Sequence, residues 1–176
     1  MRKKIIKLFA DFEKEEKWLN EMVSKGYALK KYNFMTYHFE PCNPGDYTYR
    51  IEFLEEMPSH HESQEYIEFV KELDVEYVDS YFRWVYFRKK TELGPFEIHS
   101  DKESRIKHYT SIMRLQGLIV LMNISLAFSN ISIGNFSEVN QYIGFMNLAL
   151  AALLGYYCYK NYRKIKQLKA KNIVHE

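Results

Sequence analysis

The sequence predicts an α+β protein: a ferredoxin-like β-α-β-β-α-β(β) antiparallel sheet domain followed by a two-helix transmembrane hairpin. Three observations carry this prediction. Residues 115–133 and 142–159 are apolar stretches, each about long enough to cross a hydrocarbon layer of roughly 30 Å as a helix. Basic residues flank them on their outer sides: Arg105, Lys107 and Arg114 before the first, Lys160, Arg163, Lys164, Lys166, Lys169 and Lys171 after the second. Ahead of them, about 100 residues alternate between strand-like and helix-like patterning.

The elements follow in order. Residues 3–10, with the run Ile5-Ile6-Lys7-Leu8-Phe9, read as a strand. Asp11 caps a helix over 12–25, whose stripe is Phe12, Leu19, Met22 and Val23 with Trp18 at its edge; Gly26 suits the C′ position. Residues 27–40 form a long extended segment, and Cys42-Asn43-Pro44-Gly45-Asp46 reverses it. In the return strand, Tyr47, Tyr49, Ile51 and Phe53 alternate with Thr48, Arg50 and Glu52. Ser59 and Glu62 stand at capping-box spacing for a second helix with stripe Tyr66, Phe69, Val70 and Leu73. Residues 75–88 read as one broken strand or a short hairpin, and Gly94-Pro95 marks a boundary. Ser100 and Glu103 open a further helix, with the sequence compatible with either continuity into the first apolar stretch or a break near Ser111. The expected organisation is a cytoplasmic domain over 1–92, a linker and juxtamembrane helix over 93–114, the hairpin over 115–159 and a basic tail over 160–176.

Charge divides the chain the same way. The whole sequence has 25 basic and 23 acidic residues. Residues 1–98 carry 15 Lys/Arg against 19 Asp/Glu, a net of −4, and residues 99–176 carry 10 against 4, a net of +6. Positive charge beside apolar spans faces the cytoplasm and anionic headgroups, so both termini are expected in the cytoplasm of a multi-pass cell-membrane protein. An acidic domain argues against direct nucleic-acid binding. Met1-Arg2-Lys3-Lys4 resembles the start of a signal peptide, but Asp11, Glu13, Glu15 and Glu16 interrupt any apolar core. Cys42 and Cys158 are the two cysteines, and in a reducing compartment they build no disulfide framework.

Motifs for chemistry are sparse. His60-His61 with Glu62 and Glu65 is the most metal-like cluster, yet adjacent histidines on a helix diverge by about 100°, and a solvated helix start explains them. Cys42 with His38 lacks an orienting acid and an oxyanion donor. Glu55-Glu56 and Glu13-Glu15-Glu16 read as exposed faces. No catalytic residue, cofactor or metal site is assigned. The apolar stretches say more. Gln116, Asn123 and Asn130 recur every seven residues, and Asn147, Ala151 and Gly155 every four, making amide and small-residue faces suited to helix packing or self-association. Lys160, Arg163, Lys164, Lys166 and Lys169, around a stripe of Tyr162, Ile165 and Leu168, are candidates for contact with membrane lipids.

The run Glu15-Glu16-Lys17-Trp18-Leu19-Asn20-Glu21-Met22-Val23-Ser24-Lys25-Gly26-Tyr27, with Trp84-Val85-Tyr86-Phe87-Arg88-Lys89 and Gly94-Pro95-Phe96-Glu97-Ile98, resembles a bacterial domain-of-unknown-function family, DUF2812, over roughly residues 1–110. The resemblance implies a membrane-anchored protein without an established activity. It also implies association with transcriptional regulators of the PadR type. The expectation is a non-enzymatic inner-membrane regulator or adaptor whose cytoplasmic domain binds a protein partner. The alternative is an accessory subunit of a membrane transporter complex.

Overall fold

A computed structural model describes residues 3–98, 102–132 and 138–170. The chain forms two compact units, Met1–Ser100 and Asp101–Glu176. The first is α+β: β1 (Lys3–Ile6), α1 (Phe12–Ser24), β2 (Tyr27–Asn33), β3 (Thr36–Pro41), β4 (Tyr47–Phe53), α2 (His61–Lys71), β5 (Val75–Tyr81), β6 (Trp84–Lys90) and a short 3-10 turn at Thr91–Leu93. The second is a pair of long helices, α3 (Lys102–Ser132) and α4 (Glu138–Ala170).

The α+β class, the antiparallel pairing and the C-terminal helical hairpin are as the sequence predicts. The strand arrangement is not one ferredoxin-like sheet. Six strands form two three-stranded antiparallel sheets, ordered β1-β3-β2 and β4-β6-β5. The extended segment 27–40 folds back on itself at Phe34-Met35 to give two strands, and the Cys42–Asp46 turn connects the two sheets rather than closing a hairpin. Turn chemistry hid the first reversal: Met35 takes φ 61°, a conformation normally signalled by Gly, Asn or Asp.

The two sheets repeat one plan. Each is built strand, helix, then hairpin; the third strand of each set lies in the middle. At a constant offset, Leu19 corresponds to Ile67 and Met22 to Val70, all buried on the sheet-facing side of their helices. Gly26 (φ 81°) and Asp74 (φ 60°) both turn the chain from helix into strand. A register shift follows at the matching place in each second strand, between Leu29 and Lys31 and between Tyr77 and Asp79.

Local signals set the helices. The Asp11 carboxylate accepts from the Glu13 N–H at 3.1 Å, and the Lys25 and Gly26 amides bond back to Met22 and Val23 carbonyls. The second helix starts at His61 without a side-chain cap, so the predicted Ser59–Glu62 box does not form. Its buried side is Ser63, Ile67 and Val70, and Phe69 and Leu73 stay exposed. Two apolar clusters result. One joins Leu19, Met22, Leu29, Tyr37, Phe39, Tyr49 and Tyr86; the other joins Ile67, Val70, Val75, Val85, Phe87 and Phe96. Strand β6 serves both, because Tyr86 points opposite to Val85 and Phe87. Phe96 and Ile98, expected in a linker, pack on the second cluster.

In the helical unit, α3 is unbroken from Lys102, so the juxtamembrane helix and the first apolar stretch are one element. Helix α4 likewise runs through the basic tail to Ala170.

Candidate functional site

Glu15 lies on the buried side of α1, because positions 15, 19 and 22 share a helix face. It is only 9% exposed. The Tyr37 hydroxyl donates to its Oε1 at 2.7 Å and the Tyr86 hydroxyl donates to the same oxygen at 2.6 Å. Loss of hydration raises the Glu15 pKa, against the opposing effect of the two phenol hydrogen bonds. Burial and the nearby carboxylate push both tyrosines well up, so they remain donors. Aromatic rings close the surroundings: Trp18 and Tyr32 lie 4.9 and 4.7 Å from Tyr37, and Tyr32 lies 5.0 Å from Tyr86. The sequence reading placed Glu15 on an exposed face. Its spacing from Leu19 and Met22 was the signal that could have found it.

Glu16 and Asn20 work differently, along the edge strand β4. Asn20 Oδ1 accepts from the Tyr49 amide at 2.8 Å and its Nδ2 donates to the Tyr49 carbonyl at 3.2 Å. Glu16 accepts from the Ile51 amide at 3.0 Å and pairs with Arg50 at 3.1 Å. These side chains occupy backbone groups that an edge strand would otherwise present to another chain.

At the other end of the sheets the surface is apolar. Phe34, at the β2–β3 turn, is 56% exposed and packs at a tilt with its ring centroid 5.7 Å from that of Tyr81, beside the exposed Phe82 of the β5–β6 turn. The two sheets meet here, where Asp79 Oδ2 accepts from the Tyr32 amide at 2.8 Å. The Lys7 amide bonds the Met35 carbonyl at 2.8 Å, which brings the exposed Ile6 and Leu8 alongside. Phe82, at φ 55°, holds a left-handed conformation costly for a large side chain. An apolar aromatic at a position where glycine is easiest is a sign that the side chain itself is wanted.

The helix-face candidates divide. Gln116 Oε1 accepts from Asn161 Nδ2 of α4 at 3.0 Å. Asn123 is buried but donates to its own helix, to the Ile119 carbonyl at 2.8 Å, and Asn130 does the same to Leu126. Ala151 is buried, and Asn147 and Gly155 are half-buried. Close approach occurs not at Gly155, where an added Cβ meets nothing, but at Gly144, where it would lie 2.6 Å from Ile131 Cγ1. Gly144, Ala151, Cys158 and Ile165 recur every seven residues on α4, as Tyr109, Gln116 and Asn123 do on α3. Among the tail cations, Arg163, Lys166 and Lys169 are exposed, Lys160 is half-buried, and Lys164 sits 5.1 Å over the Tyr109 ring. Ile165 is buried, so the tail's apolar stripe is partly used by helix packing.

Among the described residues, no group of three or more His, Cys, Asp and Glu converges as a metal site. His61 Nδ1 lies 3.5 Å from Glu65 at the exposed start of α2. The Cys42 thiol is pushed up by burial and by Asp46, which makes it less nucleophilic.

An α+β unit with a doubled strand–helix–hairpin plan, joined to two helices long and apolar enough to cross a membrane, defines the class. The chain belongs to the family described as "Protein of unknown function (DUF2812)", whose pattern matches residues 11–121, through the domain and on into α3. No curated protein and no solved structure matches it.

Proposed function

We propose that this protein is an inner-membrane-anchored regulator or adaptor, acting without catalysis, whose cytoplasmic domain binds a protein partner. The observation that carries this reading is the exposed apolar end formed by Phe34, Tyr81 and Phe82 with Ile6 and Leu8. Contiguous exposed apolar surface of this kind marks interaction sites, and a strained turn backbone presents one of its side chains, Phe82. Glu15 is sealed by two tyrosines and acts as a core support. A soluble transcriptional regulator of the PadR type is the candidate partner.

The anchor is a multi-pass hairpin with both termini cytoplasmic. Its support is the outward apolar surface of both helices, with Leu118, Leu121, Met122, Phe128, Phe145, Met146 and Leu153 exposed, and the basic residues at one end only. At 1.5 Å per residue the helices are about 46 and 50 Å long, against roughly 30 Å of hydrocarbon. The excess lies at the basic end and forms a two-helix stalk in the cytoplasm.

The test places a photo-crosslinking residue at Phe34 in the full-length protein in living cells. A specific adduct with a soluble regulator, retained when residues 115–159 are replaced by an unrelated hairpin, is the expected result. An adduct with a transporter subunit that disappears on the hairpin swap favours the accessory-subunit reading instead. No specific adduct across several growth conditions overturns the adaptor proposal.

A further inference from the structure

The net charge of residues 1–98 is −4, yet the sheet β1-β3-β2 gathers cations. In register, His38 of the central strand has Lys4 as its partner on β1 and Lys31 as its partner on β2. Partners in register project from the same face of a sheet, side chains about 5 Å apart. Three cationic or protonatable groups thus form one row across three strands. Lys30, in the register shift beside Lys31, and Lys3 join them around a cleft of about 340 Å³ lined by Lys3, Lys4, Lys30, Lys31, His38 and Phe39. Lys30 is paired with Glu40 at 3.3 Å and Lys3 lies over the Tyr27 ring at 4.7 Å. Among the described residues, no carboxylate lies within ion-pairing distance of Lys4 or Lys31.

Like charges set directly opposite each other destabilise a sheet. An acidic domain has carboxylates enough to break up such a row, but the sequence places them elsewhere. The repulsion is relieved when an anion occupies the cleft and accepts from several ammonium groups at once. We propose that this cleft is a binding site for a phosphate-bearing ligand, with Lys4 and Lys31 as its principal donors and Lys3 and Lys30 at its rim. A soluble diphosphate and an anionic lipid headgroup share that chemistry. The proposal is independent of the apolar end and of any protein partner.

Full-length protein in a neutral detergent is titrated separately with inorganic pyrophosphate and with short-chain phosphatidylglycerol below its micellar concentration, followed by calorimetry. Saturable binding of at least one, weakening as salt rises, is expected. Lys4→Gln/Lys31→Gln should weaken it by about tenfold or more, the scale for charged hydrogen bonds. Lys14→Gln/Lys17→Gln, on the exposed side of α1, should leave it unchanged, and circular dichroism should show both variants folded. Binding of pyrophosphate alone assigns a soluble ligand and binding of the lipid alone assigns a headgroup; either supports the site. Absence of saturable binding by both, or equal weakening by the two double variants, overturns it.

Discussion

A carboxylate held by two phenol hydroxyls inside an aromatic cluster has a definite pH signature. Glu15 has its pKa raised above 4.5 by burial, so the folded protein holds this proton at pH values where the unfolded chain has released it. The Glu15 contribution to stability is therefore fully present below the unfolded pKa and is lost as pH rises through the folded one. Glu15→Gln keeps an acceptor for Tyr37 and Tyr86 and cannot ionise. The variant should match or exceed the parent at neutral pH and lose that slope, as read from thermal midpoints between about pH 4 and 8. An unchanged slope would assign the pH dependence to another group. Glu15→Ala leaves two buried hydroxyls without their acceptor, at a cost of about 2–4 kcal/mol. Why this residue escaped the sequence reading is itself physical: three acids in four positions look solvated, and only helical phase separates Glu15, beneath the aromatics, from Glu13 and Glu16.

Among the elements, turns and helix seams were the least legible. Helix α1 was readable because Asp11 and Gly26 bracket it with ordinary caps, and β4 because it alternates cleanly. The β2–β3 reversal was not, because Phe34-Met35 carries no turn residue, and the α2 stripe was rotated because Phe69 and Leu73 are apolar yet face solvent. Phe82→Gly tests what that unusual turn chemistry is for. It should relieve left-handed strain and stabilise the domain by up to about 1 kcal/mol, while weakening the Phe34 crosslink described above. In the hairpin, the amide repeat was visible in the sequence but the division of labour within it was not. Gln116→Leu removes the cross-helix acceptor of Asn161 and should weaken helix pairing by about 0.6 kcal/mol, and at most about 1.7. Asn123→Leu removes only a bond within its own helix and should cost less. Gly144→Ala forces a methyl against Ile131 and should cost about 1–3 kcal/mol, with Gly155→Ala nearly neutral. Thermal unfolding in detergent micelles ranks all four, and equal losses at both glycines would discard the seam assignment.

For the molecule as a whole, the sequence displayed its two-part construction through charge and hydropathy, but not the doubling of the first part. The repeated plan rests on matched burial and backbone angles at Leu19 and Ile67, or Gly26 and Asp74, where the residue types differ. Its closing segment reaches further than the Gly94-Pro95 boundary suggests. A fragment ending at residue 92 should be less stable than one ending at residue 100 by about 3–5 kcal/mol, the scale for losing a buried phenylalanine, because it lacks Phe96. Urea unfolding of the two fragments measures the difference, and equal midpoints would mean that Phe96 merely rests on the domain. The unbroken run of α3 has a mechanical consequence. Its register against α4 is pinned near one end by Gly144 on Ile131, farther along by Gln116 with Asn161, and towards the other end by Lys164 over Tyr109. Three contacts spread along the pair resist sliding and independent twisting. In a chain anchored as proposed above, a push or a quarter-turn given to the apolar ends of the pair would reach Lys102 largely undiminished, as along a drive shaft rather than a leash.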